Sequence, residues 1–226
     1  MRMENYQLTA ADFADTGQWR LIVEIGEKGL KAFLENTLHT EIPPQELCKS
    51  EWKDSPQDLC KNIEEAVYNC PRLLDDFATK IIISDLHTLF VPQKIAEDRA
   101  GSEEELYNKV YQAAETDIMT DTDNGVTAVW CPGPGVKSFL SRTFPGARIT
   151  CNLLDKIRKY RKNSDHSNCT ELGEGVKLFK DIREDEADLI LMKGDGLISA
   201  STHKISNLEE IETVVKNLQR VYSLTE

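Results

Sequence analysis

The chain of 226 residues contains no apolar run approaching the roughly 20 residues that a membrane-spanning helix needs. Its first residues, Met1-Arg2-Met3-Glu4-Asn5-Tyr6, do not have the form of a secretory signal, so the expectation is a cytoplasmic protein with no membrane partner. Positive charge is scarce: 27 Lys and Arg stand against 39 Asp and Glu, a net charge of −12. Such a surface repels phosphate backbones and anionic lipid, which argues against a nucleic-acid partner. Six cysteines are present (Cys48, Cys60, Cys70, Cys131, Cys151, Cys169), but no two form a C-x-x-C pair. A zinc ribbon and a thioredoxin-like site are therefore not indicated. The four histidines (His39, His87, His166, His203) lie far apart, none at metal-ligand spacing from a cysteine or another histidine, so no metal is expected.

Two familiar ligand loops are also missing. Gly133-Pro134-Gly135-Val136-Lys137-Ser138 invites comparison with a phosphate loop, but that motif needs four residues before a Gly-Lys pair, and Pro134 has no N–H to donate. Asp117, Asp121 and Asp123 suggest a calcium loop, yet counting back from Gly125 puts Thr120 at the first ligand position. Residues 115–124 are accordingly read as a solvated acidic loop.

What is present is the material of an ordinary α/β domain, with 40 % hydrophobic residues. Residues 19–24 and 30–35 form an opening hairpin, and residues 39–42 suggest a third strand before Pro43-Pro44. Ser55-Pro56-Gln57-Asp58 has the composition of a helix start, and Leu59, Ile63, Ala66, Val67 and Cys70 recur on one helical face. Residues 80–83 read as a buried strand, with 88–91 as its bent or antiparallel continuation. Ser102-Glu103-Glu104-Glu105 starts a helix over 103–114. Residues 125–130 and 148–151 read as strands, with a helix beginning near Val136 between them and another over 153–160 after them. The basic end of that last helix (Lys156, Arg158, Lys159, Arg161, Lys162) suits the negative pole of the helix dipole without any ligand. Cys131 and Cys151, at strand ends, read as small buried hydrophobes.

Residues 163–175, rich in Ser, Asn, Thr and Gly, are the expected boundary between a first half (1–165) and a second (170–226). Beyond them three strands (176–182, 187–192, 197–205) lead to a helix capped by Asn207, with Leu208, Ile211, Val214, Val215, Leu218, Val221 and Tyr222 on one face. The β-β-β-α pattern thus occurs twice. The fold expected is α/β, a duplicated ribonuclease-H-like arrangement with a short or truncated second lobe.

Several segments together carry a family resemblance: the opening hairpin, Val67-Tyr68-Asn69-Cys70-Pro71-Arg72-Leu73-Leu74, Thr88-Leu89-Phe90-Val91-Pro92, and Phe139-Leu140-Ser141-Arg142-Thr143-Phe144-Pro145-Gly146-Ala147. In this order they resemble the bacterial domain-of-unknown-function family numbered 3822. The resemblance implies an actin-like ATPase fold and no known activity, cofactor or catalytic residue. In that fold the turn between the first two strands follows Asp-x-Gly and a hydroxyl residue, whose amides hold phosphate. This chain has Glu24-Ile25-Gly26-Glu27-Lys28-Gly29 there, and the corresponding later turn is Ile182-Arg183-Glu184-Asp185-Glu186. Acids at both turns oppose an anionic ligand.

The expectation is therefore a non-catalytic binding or scaffolding module that has lost nucleotide binding, acts on a protein partner of unstated identity and carries no cofactor. The alternative is a divergent Mg-dependent ATPase or kinase-like enzyme, with Glu24, Gly26, Asp85, Glu184 and Asp185 at the nucleotide and its ion. A two-metal nuclease on the same half would need a basic groove that this composition does not offer.

Overall fold

In the computed structural model, residues 16–52, 58–84, 87–98, 102–111, 117–162, 169–173, 175–183 and 185–223 are described. Their order begins β1 (Trp19–Gly26), β2 (Gly29–Asn36), β3 (Gln45–Glu51), α1 (Leu59–Asn69), β4 (Ala78–Ile83) and β5 (Leu89–Pro92). It continues with α2 (Gln93–Asp98), α3 (Ser102–Tyr111), β6 (Met119–Asp123), β7 (Val126–Trp130), α4 (Val136–Thr143), β8 (Arg148–Cys151) and α5 (Asn152–Lys162). The last elements are β9 (Cys169–Gly173), β10 (Val176–Ile182), β11 (Glu186–Lys193), β12 (Gly196–Lys204) and α6 (Leu208–Ser223). Contacts divide the chain into two units, residues 1–83 with 133–149, and residues 84–132 with 150–226.

The first unit is built on a five-stranded sheet of order β3-β2-β1-β4-β8. The strands β1 and β2 pair antiparallel from Trp19↔Asn36 to Gly26↔Gly29, and β4 runs parallel to β1. Leu21, Ile22, Val23 and Ile25 of β1 are all buried, as a central strand covered on both faces requires. Helix α1 starts one turn after the expected Ser55, which lies outside the described residues. Asp58 is the cap, its carboxylate accepting the Lys61 N–H at 3.0 Å. Ile63, Ala66 and Val67 form the buried face of α1, and α4 contacts it.

A third strand at residues 39–42 does not form. The Asn36 side-chain oxygen accepts the N–H groups of Leu38 and His39 at 2.9 and 2.8 Å, and the Ile42 N–H bonds the His39 carbonyl at 3.0 Å. The chain is thereby turned, and β3 begins only after Pro43-Pro44.

The second unit holds two sheets. One has the order β5-β7-β6 and packs Val91, Ile118 and Val129 with Tyr107 of α3. This corrects two expectations. The segment 88–91 does not continue β4 but pairs with β7, and the acidic stretch around Asp121 is not a loop but contains strand β6, paired antiparallel with β7. The other sheet has the order β12-β11-β10-β9, all antiparallel. Its first strand, β9, lies in the stretch that composition assigned to a linker. One face of this sheet buries Leu178, Leu189 and Leu191 against Ile211 and Val215 of α6. Asn207 caps α6 as expected, accepting the Glu210 N–H at 3.1 Å, while the Glu210 carboxylate accepts the Ser206 N–H at 3.0 Å.

Candidate functional site

Of the residues expected at a nucleotide, Asp85 and Glu184 lie outside the described residues. Glu24 is exposed on β1, opposite Lys31 of β2 and Ile82 of β4. Gly26 forms the last ladder pair before the turn, so only Glu27 and Lys28, both exposed, make up its tip. The Trp52 backbone N–H donates to the Lys28 carbonyl at 3.1 Å. The glycine that the turn does need is Gly29: a Cβ there would overlap the Ser50 carbonyl oxygen of β3. Its smallness thus serves strand approach. In the later turn the Arg183 N–H bonds the Glu186 carbonyl at 2.8 Å, and the Asp185 carbonyl accepts the Ile205 N–H at 2.9 Å. The Arg183 guanidinium reaches back to the carboxylates of Glu186 (2.9 Å) and Asp188 (3.0 Å). The acids of this turn are thus partly neutralised by their own neighbour. Glu24 and Gly26 belong to the first unit and Asp185 to the second. Among the described residues no group of His, Cys, Asp or Glu is gathered as a metal site.

The phosphate-loop-like turn before α4 has a structural use as well. Gly135 sits at the cap with φ 78°, in the left-handed region, with Cys60 Sγ 3.3 Å from where a Cβ would be. Backbone conformation and the neighbouring thiol both favour glycine there.

The most developed polar constellation is one that sequence reading missed, and it is centred on α5. Asp181 of β10 and Asp188 of β11 lie directly opposite one another in the ladder, an arrangement that is repulsive by itself. Lys156 of α5 bridges them, its ammonium bonding both carboxylates. Asp188 is only 1 % exposed and also accepts from Asn152 at 3.0 Å, Arg183 at 3.0 and 3.1 Å, and Thr202 at 2.6 Å. Both carboxylate oxygens are therefore saturated by hydrogen bonds from α5, from β12 and from the turn. Tyr160 stacks on Phe179 at 4.3 Å, and burial, followed by the charges of Asp181 and Asp188, raises its hydroxyl above the ordinary tyrosine value.

The opposite side of α5 grips β6. Strand alternation puts Asp121 and Asp123 on one face of β6, and helical spacing puts Arg158 and Arg161 on one face of α5. Arg158 forms a two-pronged pair with Asp121 (2.6 and 3.0 Å), bonds the Thr150 hydroxyl at 3.0 Å and lies 3.2 Å from Asp123. Arg161 pairs with Asp123 and donates to the Asp195 carbonyl at 2.9 Å. For Arg158, burial works against the charge, but the hydrogen bonds and charges of Asp121 and Asp123 outweigh it and hold the guanidinium above its ordinary value. The basic end of α5 therefore does more than meet a helix dipole: it braces β6 and the β10–β12 sheet from one helix. The available signal was the pairing of acids two apart with arginines three apart. Chemically the cluster is a closed set of charges, with Lys156 committed to two carboxylates.

Against this geometry, a family model described as "Protein of unknown function (DUF3822)" matches residues 9–212. No curated protein matches the sequence. Among solved structures, a Bacteroides thetaiotaomicron protein with an actin-like ATPase fold and unknown function is similar with a TM-score of 0.75 and 18 % identity, over 94 % of this chain and 80 % of that one. Matches to the PilM–PilN type IV pilus biogenesis complex (TM-score 0.43, 15 % identity, 88 % and 65 % covered) and to an Aquifex aeolicus member of the Ppx/GppA family (TM-score 0.38, 9 % identity, 87 % and 54 % covered) are too distant to argue from. The fold is α/β, actin-like and of the ribonuclease-H-like class.

Proposed function

The chain belongs to this family of proteins of unknown function, and on that premise we propose that it is a binding or scaffolding module that keeps the actin-like architecture without nucleotide chemistry. The observation that carries the reading is the condition of the first turn. Its strands are zipped to Gly26↔Gly29, and a carboxylate, Glu27, stands at the tip where a hydroxyl and converging amides would meet a phosphate. The Arg183–Glu186 turn supports it: its cation is spent on Glu186 and Asp188 and is not offered to an anion.

The partner in this reading is a protein, met in the cytoplasm. The net charge of −12 disfavours nucleic acid and anionic lipid, and among the described residues no helix is long and apolar enough to cross a membrane. Tyr68, 65 % exposed near the end of α1, and Leu74 just beyond it are large apolar groups facing solvent.

The reading is tested by thermal unfolding of the full chain with and without millimolar Mg-ATP. A ligand that binds only the native state stabilises it by RT ln(1 + [L]/Kd). An unchanged Tm agrees with the proposal; a rise of several degrees, lost in Glu24→Ala, would favour the Mg-dependent enzyme instead.

A further inference from the structure

Strand β12 is an edge of the four-stranded sheet, and register decides which of its residues face helix α6. Leu178 of β10 pairs with Leu191 of β11, and Leu191 with Ser199 of β12; two residues further along β12, Ser201 pairs with Leu189, and His203 then pairs with Ala187. Partners across a ladder share a face, so Ser199, Ser201 and His203 stand on the side where the leucines meet α6. Where alternation calls for large apolar groups, β12 supplies two hydroxyls and an imidazole. Helix α6 itself packs toward β9, at the other edge of the sheet. Between them lies a cavity of about 190 Å³, wholly within the second unit. Its floor is apolar, with Leu178, Leu189 and Leu191 each at most 4 % exposed. Val214 and Leu218 of α6, both half-buried, line it from the helix. The β12 wall is polar: Ser201 and His203 are half-buried, and the exposed Ser199 marks the open side. Ser201 Oγ and His203 Nε2 are hydrogen-bonded at 2.8 Å. Whichever of the two donates, the Ser201 oxygen keeps a lone pair, and when the ring nitrogen donates, the hydroxyl hydrogen is released as well.

We propose that this cavity binds a small uncharged hydroxyl compound, an alcohol or a phenol, with its apolar body on the leucines and its hydroxyl at the Ser201–His203 pair. Size sets the body. An apolar cavity of about 150 Å³ holds benzene, so the present one takes a ring or chain of about seven or eight heavy atoms. Chemistry sets the head group. Among the described residues lining the cavity there is neither Lys nor Arg, and the chain as a whole carries −12, so a carboxylate would meet no permanent cation there. A hydroxyl both donates and accepts, and so satisfies the Ser201–His203 pair in either of its arrangements. The division of the walls, apolar on β10, β11 and α6 and polar on β12, fixes the direction in which such a molecule lies.

The test is titration of the full chain with p-cresol, hexanol, toluene and p-toluate, followed through its amide N–H NMR spectrum. The expected result is saturable shifts with millimolar or lower p-cresol or hexanol, largest in β11, β12 and α6. Toluene, which lacks the hydroxyl, should bind about three- to tenfold more weakly than p-cresol, the worth of one neutral hydrogen bond. The charged p-toluate should also bind more weakly than p-cresol. Ser201→Ala, with its circular dichroism unchanged, should bring the affinity for p-cresol down to that for toluene. Ser201→Leu, which puts a large apolar group into the space, should abolish the shifts, and where that variant does not fold Ser201→Ala decides. Absence of shifts with both hydroxyl probes, or shifts centred elsewhere, as around Tyr68 of α1, would overturn the site. Equal affinities for p-cresol and toluene, unaltered by Ser201→Ala, or tighter binding of p-toluate, would overturn the assigned head group.

Discussion

At the scale of single residues, Asp188 shows how a buried carboxylate is tolerated. It accepts from Lys156, Arg183, Asn152 and Thr202, so removing it leaves Lys156 with Asp181 alone and Arg183 with Glu186 alone, and takes a shared acceptor from Asn152 and Thr202 at a position that is 1 % exposed. Asp188→Ala should lower the free energy of unfolding by about 2–3 kcal/mol, the loss of several charge-assisted hydrogen bonds at a buried acceptor with each cation keeping a second carboxylate. Thr202→Val, which removes one hydroxyl donor of four partners, should cost about 1 kcal/mol. Denaturant titration distinguishes them, and equal small losses would show that the network is not cooperative. Cys151 makes a different prediction. Burial pushes its thiol from 9.0 up to about 12. Its folded value being raised, its contribution to stability is complete below the ordinary thiol value and drains away as pH rises through that interval. Each pH unit there is worth up to about 1.4 kcal/mol. Stability measured between pH 9 and 12 should therefore fall less steeply in Cys151→Ala than in the parent, whereas parallel curves would mean that the thiol titrates alike in both states.

At the scale of elements, legibility followed whether the signal was local. The hairpin of β1 and β2, the apolar face of α1, the β10–β12 meander and the Asn207 cap of α6 follow from alternation, helical spacing and cap chemistry, all readable within a dozen residues. Strand β6 was not readable, because Met119-Thr-Asp-Thr-Asp123 carries the composition of a loop. Its two acids are tolerated in a ladder only because Arg158 and Arg161 arrive from a helix some 37 residues later in the chain. Residues 39–42 failed for the opposite reason. Their local strand signal lost to one side chain, Asn36, which captures two N–H groups and turns the backbone. Two substitutions test the local accounts. Asn207→Ala should cost about 1 kcal/mol by uncapping α6. Gly29→Ala should cost about 1–3 kcal/mol, because the added methyl meets the Ser50 carbonyl. Circular dichroism melts read both, and a neutral Gly29→Ala would return that glycine to the turn as its reason for being there.

At the scale of the molecule, the order of elements carried the fold: the first unit's chain runs β-β-β-α-β as read from pattern, but its third strand is β3 at Gln45–Glu51 and not residues 39–42, and the actin-like neighbour at a TM-score of 0.75 has the same class of fold. Which segments belong together was not legible, since residues 84–132 interrupt the first unit and contribute to the second, a consequence of long-range contacts that no local pattern encodes. Function was less legible still. The family is one of unknown function, and the candidate nucleotide residues Glu24, Gly26 and Asp185 fall on separate units, with Asp85 and Glu184 outside the described residues. The first turn is closed by the Gly26↔Gly29 ladder pair with Glu27 at its tip, and the Arg183 cation of the later turn is held by Glu186 and Asp188. Isothermal titration of the full protein with ATP in the presence of Mg²⁺ decides whether nucleotide binding has been lost: no heat beyond dilution is expected up to millimolar nucleotide, and a saturable isotherm with a micromolar Kd would overturn the proposed loss.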